Sequence, residues 1–202
     1  MKKTFLLLVG AVFAAVNFAN ASVSPQTLDN LNAAYQGESN AAHRYAIFAE
    51  KATSEGHAYA ARLFRAAAKA ESIHRDTHKK AILELGGKIK AFKLDEVNPG
   101  TTAENLQAAI KGESYERDTM YPEFIALAKK DDSKPALRTL LYAQKAEVEH
   151  AKLYQEASDN LSNNTFDPSI YVCRVCGYTV TKLPDRSCPS CREPVSNYEQ
   201  IN

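Results

Sequence analysis

The stretch LLYAQKAEVEHAKLYQ, residues 140–155, places charged side chains where a helix should be burying apolar ones. Counted from Leu137 just before it, Leu137, Leu140, Gln144, Glu147, His150 and Tyr154 follow at steps of three or four, so Glu147 and His150 share the face that the leucines mark as inward. Three further segments repeat the pattern. Leu63, Ala67, Glu71, His74, His78 and Ile82 form one stripe; Leu28, Leu31, Tyr35, Glu38, Ala42 and Tyr45 form another; Leu106, Ile110, Glu113, Glu116, Met120 and Phe124 form the last. Four amphipathic segments, each interrupted by Glu near its middle, predict an all-α four-helix bundle.

Breakers set the limits of these helices. They run from about Pro25 to Ser54, from His57 to Leu85, from Thr102 to Lys130, and from Asp132-Ser133, with Pro135 in the first turn, to about Asp159. Each would span roughly 40 Å at the helical rise. Asn98-Pro99-Gly100 marks a loop before the third helix, and LSNNTFDPS (161–169) reads as a linker. An internal repeat runs through the bundle: GES stands at 37–39 and 112–114, and AESIH (70–74) answers AEVEH (146–150). Glu38 to Glu113 is 75 positions and His74 to His150 is 76, so two related helix pairs each supply one Glu and one Glu-x-x-His. Glu116 has no counterpart in the first pair, where Ala41 takes its place.

The 202 residues, 45% of them apolar, suffice for one substantial core and a small second module. With 25 Lys and Arg against 24 Asp and Glu there is no basic field to attract nucleic acid. Residues 1–21, MKKTFLLLVGAVFAAVNFANA, combine Lys2 and Lys3, an apolar run from Phe5 to Val16 and an A-x-A ending, which reads as a secretory signal peptide cleaved after Ala21. The alternative is an uncleaved anchor, for which the run is short against a span of about 20 residues. The expectation is a chain exported to the periplasm, starting at Ser22 and keeping no membrane span. The absence of a twin Arg before the run points to export unfolded and to metal loading afterwards.

Glu38, Glu71, Glu113, Glu116 and Glu147 cannot all be buried unpaired, since each would cost several kcal/mol, and no Lys or Arg lies on the stripes beside them. Two metal ions would supply four to six positive charges, and carboxylate oxygens with two imidazoles suit iron or manganese better than zinc or copper. One Glu-x-x-His is common on helix surfaces; two of them, each matched with a GES glutamate, fit the ligand scheme of ferritin-like di-iron bundles. His43 and His57 read as solvated and His78 as a core or supporting histidine. Tyr45 and Tyr121 each lie about two turns beyond a GES glutamate, in reach of a ligand carboxylate. At the C-terminus, Cys173 and Cys176 are separated by 11 residues from Cys188 and Cys191, both pairs being Cys-x2-Cys. Four thiolates so spaced fit zinc or a single iron, and two disulfides are the other reading.

GESNAAHRY (37–45), AESIH, GESYERDTMYPEF (112–124), AEVEH, CRVCGY and CPSC together resemble the rubrerythrins, over essentially the whole chain after the signal peptide. The resemblance implies a ferritin-like bundle over 22–160, a linker over 161–169 and a rubredoxin-like domain over 170–202. It implies a non-haem di-iron site at Glu38, Glu71, His74, Glu113, Glu116, Glu147 and His150, with one more iron on the four cysteines. It implies a peroxidase that reduces hydrogen peroxide to water, in a homodimer or higher homo-oligomer, with electrons passing from an electron-donor protein through the tail to the di-iron site, often across a subunit boundary. It also implies that Glu116 and His74 exchange as ligands when the oxidation state changes. The signal peptide departs from the family's cytoplasmic habit, so a periplasmic cytochrome or quinol-linked donor is expected. A ferroxidase or iron store, and a zinc-ribbon binding module, are the competing readings.

Overall fold

The computed structural model describes residues 23–163 and 165–202; the signal-peptide reading falls outside them. Helix α1 (Pro25–Ser54) starts where Ser24 Oγ accepts the Thr27 N–H and Pro25 takes the first helical position. Helix α2 (Ala58–Glu84) returns alongside it. Residues 85–101 then cross over without regular structure, held to α1 by buried amides: Asn32 accepts from Lys90 N at 2.8 Å, and Asn40 donates to Asp95 at 2.7 Å. Helix α3 (Thr102–Tyr115) opens on a capping box of Thr101 and Glu104. Beyond it come a π-helical segment (Glu116–Met120), helix α4 (Tyr121–Lys130) and helix α5 (Lys134–Asp159).

The third predicted helix is therefore continuous in path but not in winding. Pro122 is the physical reason: inside an α-helix its ring would collide with the carbonyl four residues back, and the wider π turn just before it relieves that collision. A π turn holds one residue more than the α turn it replaces, so the inward face moves by one position downstream. Met120 and Phe124, expected on the inward stripe, are only partly buried, while Tyr121, Ile125 and Ala128 are buried instead.

The same extra residue accounts for the mismatch in the repeat. Glu38 to Ser54 is 16 positions and Glu113 to Lys130 is 17, yet the turns that follow are alike. His57 N donates to Ala52 O at 2.9 Å and Ser133 N to Ala128 O at 3.0 Å, with Gly56 and Asp132 both at positive φ (82° and 49°). From the π segment onward the two halves superpose in sequence at an offset of 76.

Two apolar clusters fill the bundle. One gathers Tyr45, Phe48, Leu63, Phe64, Leu153 and Tyr154; the other gathers Leu31, Ile82, Tyr121, Ile125 and Leu140. Along α1, α2 and α5 the buried carboxylates stand between them. The C-terminal segment folds as a three-stranded antiparallel sheet, β1 (Ile170–Cys173), β2 (Thr179–Val180) and β3 (Tyr198–Ile201), in the order β2-β1-β3. Ile170, Val172 and Ile201 belong to the first bundle cluster, so this small sheet shares the helices' core. Lys69 with Glu199 at 2.7 Å, and Arg65 Nε with the Asn202 carbonyl at 2.8 Å, tie its last strand to α2.

Candidate metal centres

Mid-bundle, six side chains converge with at most 1% exposure each: Glu38 from α1, Glu71 and His74 from α2, Glu113 from α3, Glu147 and His150 from α5. They form two sets of four, Glu38–Glu71–His74–Glu147 and Glu71–Glu113–Glu147–His150, and within each set the ligating atoms lie within 4.8 Å of one another. Glu71 and Glu147 belong to both. His74 Nδ1 is 2.7 Å from Glu71 Oε2 and 3.3 Å from Glu147 Oε1; His150 Nδ1 is 2.9 Å from Glu147 Oε2 and 3.1 Å from Glu71 Oε1. The i, i+3 spacing of Glu-x-x-His puts both groups on one helix face, which is why two helices suffice for four of the six donors.

These residues fit a pair of cations. Glu38 Oε2, Glu71 Oε1, Glu113 Oε2 and Glu147 Oε1 are buried without a hydrogen-bond partner, one orphan oxygen from each carboxylate. Burial first, and then the neighbouring carboxylates, push Glu38 and Glu147 well above the usual carboxylate range. Glu71 is instead held low, the His150 and His74 imidazoles outweighing burial. Both histidines are drawn upward against burial by the glutamates they touch. Their outer nitrogens are fixed as donors: His74 Nε2 donates to the Cys176 carbonyl at 3.1 Å, and His150 Nε2 donates to Thr179 Oγ1 at 3.0 Å, whose own hydroxyl is given to Gly177 O. Each Nδ1 therefore turns a lone pair toward the carboxylates when the ring is neutral, the tautomer a metal requires.

Glu116 lies outside both sets. It sits on the π segment, partly buried, close enough that burial and the charges of Glu113 and Glu147 push its carboxyl up. Tyr45 donates to Glu113 Oε1 at 2.5 Å and Tyr121 donates to Glu38 Oε1, so each tyrosine serves the glutamate of the opposite half. Arg44 and Thr139 were not foreseen, whereas His78 was expected as a core or supporting histidine. Arg44 lies 5.3 Å from the centre of the Tyr45 ring, and its charge pulls against the rise of Glu116. His78 reaches Tyr121 Oη at 3.1 Å and Thr139 Oγ1 at 2.9 Å, fully buried. Arg44 adjoins Tyr45 in GESNAAHRY and His78 follows His74 by one turn, but Thr139 gives no signal in sequence.

The four cysteines form a second centre. Cys173 and Cys191 sulfurs are 3.7 Å apart, Cys176 and Cys188 sulfurs 3.6 Å, and all four lie within 4.8 Å. A disulfide would need about 2.0 Å, whereas a tetrahedron with metal–sulfur bonds of about 2.3 Å has edges of about 3.8 Å. All four are free thiols, with Tyr142 of α5, Tyr178 and Tyr198 packed around them.

A four-helix bundle with two donor sets that share carboxylates, carrying a four-cysteine knuckle against its histidines, defines a ferritin-like protein with an appended rubredoxin-like cysteine site. The rubrerythrin sequence profile matches residues 29–158, and the chain belongs to the rubrerythrin family. Rubrerythrin-2 of Clostridium acetobutylicum is 38% identical over 168 residues, covering 82% of this chain and 91% of the relative. A putative rubrerythrin of Methanocaldococcus jannaschii is 37% identical, over 86% of this chain and 92% of the relative. A solved structure of nigerythrin in a mixed-valence state superposes with a TM-score of 0.77 at 28% identity, over 96% of this chain and all of the other.

Proposed function

We propose that the chain is a non-haem di-iron peroxidase that reduces hydrogen peroxide to water, with electrons entering at the four-cysteine site. The observation that carries this reading is the hydrogen bond from His74 Nε2 to the Cys176 carbonyl. From the Cys176 sulfur to that oxygen is a path of four covalent bonds, and the hydrogen bond completes it to a donor of the carboxylate site. An iron store or ferroxidase has no use for such a junction, so the ferritin-like alternative is the weaker one.

Glu38, Glu71, His74, Glu113, Glu147 and His150 would hold two irons, and Cys173, Cys176, Cys188 and Cys191 one. Bound there, a pair of irons would supply the two electrons needed to cleave the peroxide O–O bond, and an iron on the cysteines would supply one-electron re-reduction. The protein's own part is to bury and orient. Tyr45 and Tyr121 hold Glu113 and Glu38 by one oxygen each, leaving the other for metal. His74 and His150 are locked into one tautomer by the cysteine module. Glu116, on a segment that winds differently from its neighbours, is the residue we assign to exchange with His74 as oxidation state changes.

Chemically reduced, iron-loaded protein mixed with hydrogen peroxide under anaerobic conditions tests this. Stoichiometric oxidation by peroxide, faster than by dioxygen, is expected. Peroxide turnover that persists undiminished when the cysteines carry only zinc would remove the electron route and sink the proposal. Export to the periplasm, and a periplasmic cytochrome or quinol-linked donor, complete the reading; a periplasmic extract unable to reduce the oxidised protein would count against that donor.

A further inference from the structure

We propose that Thr77, Thr139, His78 and Tyr121 form a proton path from the surface of the bundle to Glu38, supplying the protons that peroxide reduction consumes. The inference rests on the peroxidase reading, since splitting one hydrogen peroxide into two waters takes up two electrons and two protons. The links are continuous. Thr77 Oγ1 and Thr139 Oγ1 are 2.8 Å apart, Thr139 Oγ1 is 2.9 Å from His78 Nδ1, His78 Nε2 is 3.1 Å from Tyr121 Oη, and Tyr121 Oη meets Glu38 Oε1. Of the four, Thr77 alone is partly exposed; Thr139, His78 and Tyr121 are buried.

The chain of bonds can be written in two directions. With Glu38 ionised, Tyr121 donates to Glu38, His78 Nε2–H donates to Tyr121, Thr139 donates to His78 Nδ1 and Thr77 donates to Thr139. With a proton on Glu38 Oε1, every arrow reverses: Glu38 donates to Tyr121, Tyr121 to His78 Nε2, His78 Nδ1–H to Thr139, and Thr139 to Thr77, whose own proton goes to the His74 carbonyl 2.9 Å away. Passing from the first to the second takes one proton in at Thr77 Oγ1 and leaves one on Glu38 Oε1, and His78 changes tautomer without changing charge.

The pseudo-twofold mate shows that packing does not require this arrangement. At the offset of 76, Tyr121 corresponds to Tyr45 and His78 to Tyr154, while Thr77 and Thr139 correspond to Leu153 and Leu63. That half is apolar, and Tyr154 Oη has no partner among the described residues. One half thus fills the two threonine positions with leucine, and the other places hydroxyls there that bond to one another, to His78 and to the His74 carbonyl.

Thr139→Val breaks the path while removing no charge and no metal ligand, and Thr139→Ser keeps the hydroxyl. In zinc-loaded protein, solvent exchange of the His78 ring N–H is followed by nitrogen-edited NMR; in iron-loaded protein, peroxide turnover is measured alongside. Thr139→Val is expected to slow both exchange and turnover by about a hundredfold, with two metals still bound and Thr139→Ser close to wild type. Unchanged exchange in Thr139→Val overturns the path. Slowed exchange with unchanged turnover overturns its service to the reaction. If wild-type protein reduces no peroxide at all, the peroxidase reading fails, and with it the service proposed here, while the exchange rates still decide the path.

Discussion

Gly177 shows how one missing side chain fixes a junction. It holds φ +77°, and a methyl group there would overlap His74 Nε2 and stand 3.1 Å from the Ala70 carbonyl. Gly177→Ala is expected to cost about 1–2 kcal/mol for backbone conformation alone, and the overlap adds to it by separating Cys176 from His74. A lower urea midpoint, with slower reduction of the carboxylate-bound iron by the cysteine-bound iron, would be the result; wild-type electron transfer would show that the contact is dispensable. The tyrosines are the next test. Tyr121→Phe and Tyr45→Phe each free the carboxylate they hold, and metal affinity measured against a chelator should fall about 10–100-fold. The convergence of the six side chains was legible because their residue types fall on apolar stripes at helical spacing. His78 reads as a core or supporting histidine, but Arg44 and Thr139 were not legible, because each acts through another residue and only the fold brings them to it.

At the scale of elements, α1, α2 and α5 lie where their periodicity and breakers put them. The π segment escaped notice because three or four residues per turn fits the stripe Glu113, Glu116, Met120 as well as an α-helix would, although Pro122 stood inside it. An ordinary helix that loses a residue rotates its downstream face by about 100°. Here deletion of Asp118, combined with Pro122→Ala to remove the ring that an α turn could not hold, should do the opposite, converting the π turn to an α turn and keeping Tyr121 on Glu38. The expected variant melts cooperatively with full helix content and binds two metals, but turns over peroxide slowly because Glu116 is displaced. Glu116→Ala should behave alike, and unchanged turnover in either would remove Glu116 from the reaction.

Across the whole molecule, the buried acids set a pH dependence for the metal-free form. Glu38, Glu116 and Glu147 have folded-state values raised above the ordinary 4.5, so they bind more protons folded than unfolded, and stability is lost as pH rises from there. The raised His74 and His150 act in the same direction, losing their contribution as pH climbs past the ordinary imidazole value of 6.5. Glu71, held low, opposes them as pH falls below 4.5, and His78, which burial holds down at about 3, opposes them as pH falls below 6.5; the three raised carboxyls and two raised imidazoles outnumber these two. The urea midpoint of metal-free protein should therefore drop between about pH 5 and about pH 8, and metal should flatten that slope. A slope of opposite sign would mean that the acids are not clustered in the folded metal-free chain. Because Ile170, Val172 and Ile201 pack in the bundle's core, the cysteine module and the helices should unfold in one transition.

The π segment also carries a history. Two helix pairs that match at an offset of 75 before it and 76 after it are what an in-frame duplication leaves when one codon is later added inside the third helix. That codon fell one turn beyond Glu113, where the wider winding brings Glu116 up against the buried acids with no twin in the other half. On this account the winding that makes room for Glu116 arose in one insertion, and the Glu116-for-Ala41 difference is a separate substitution that this winding exploits.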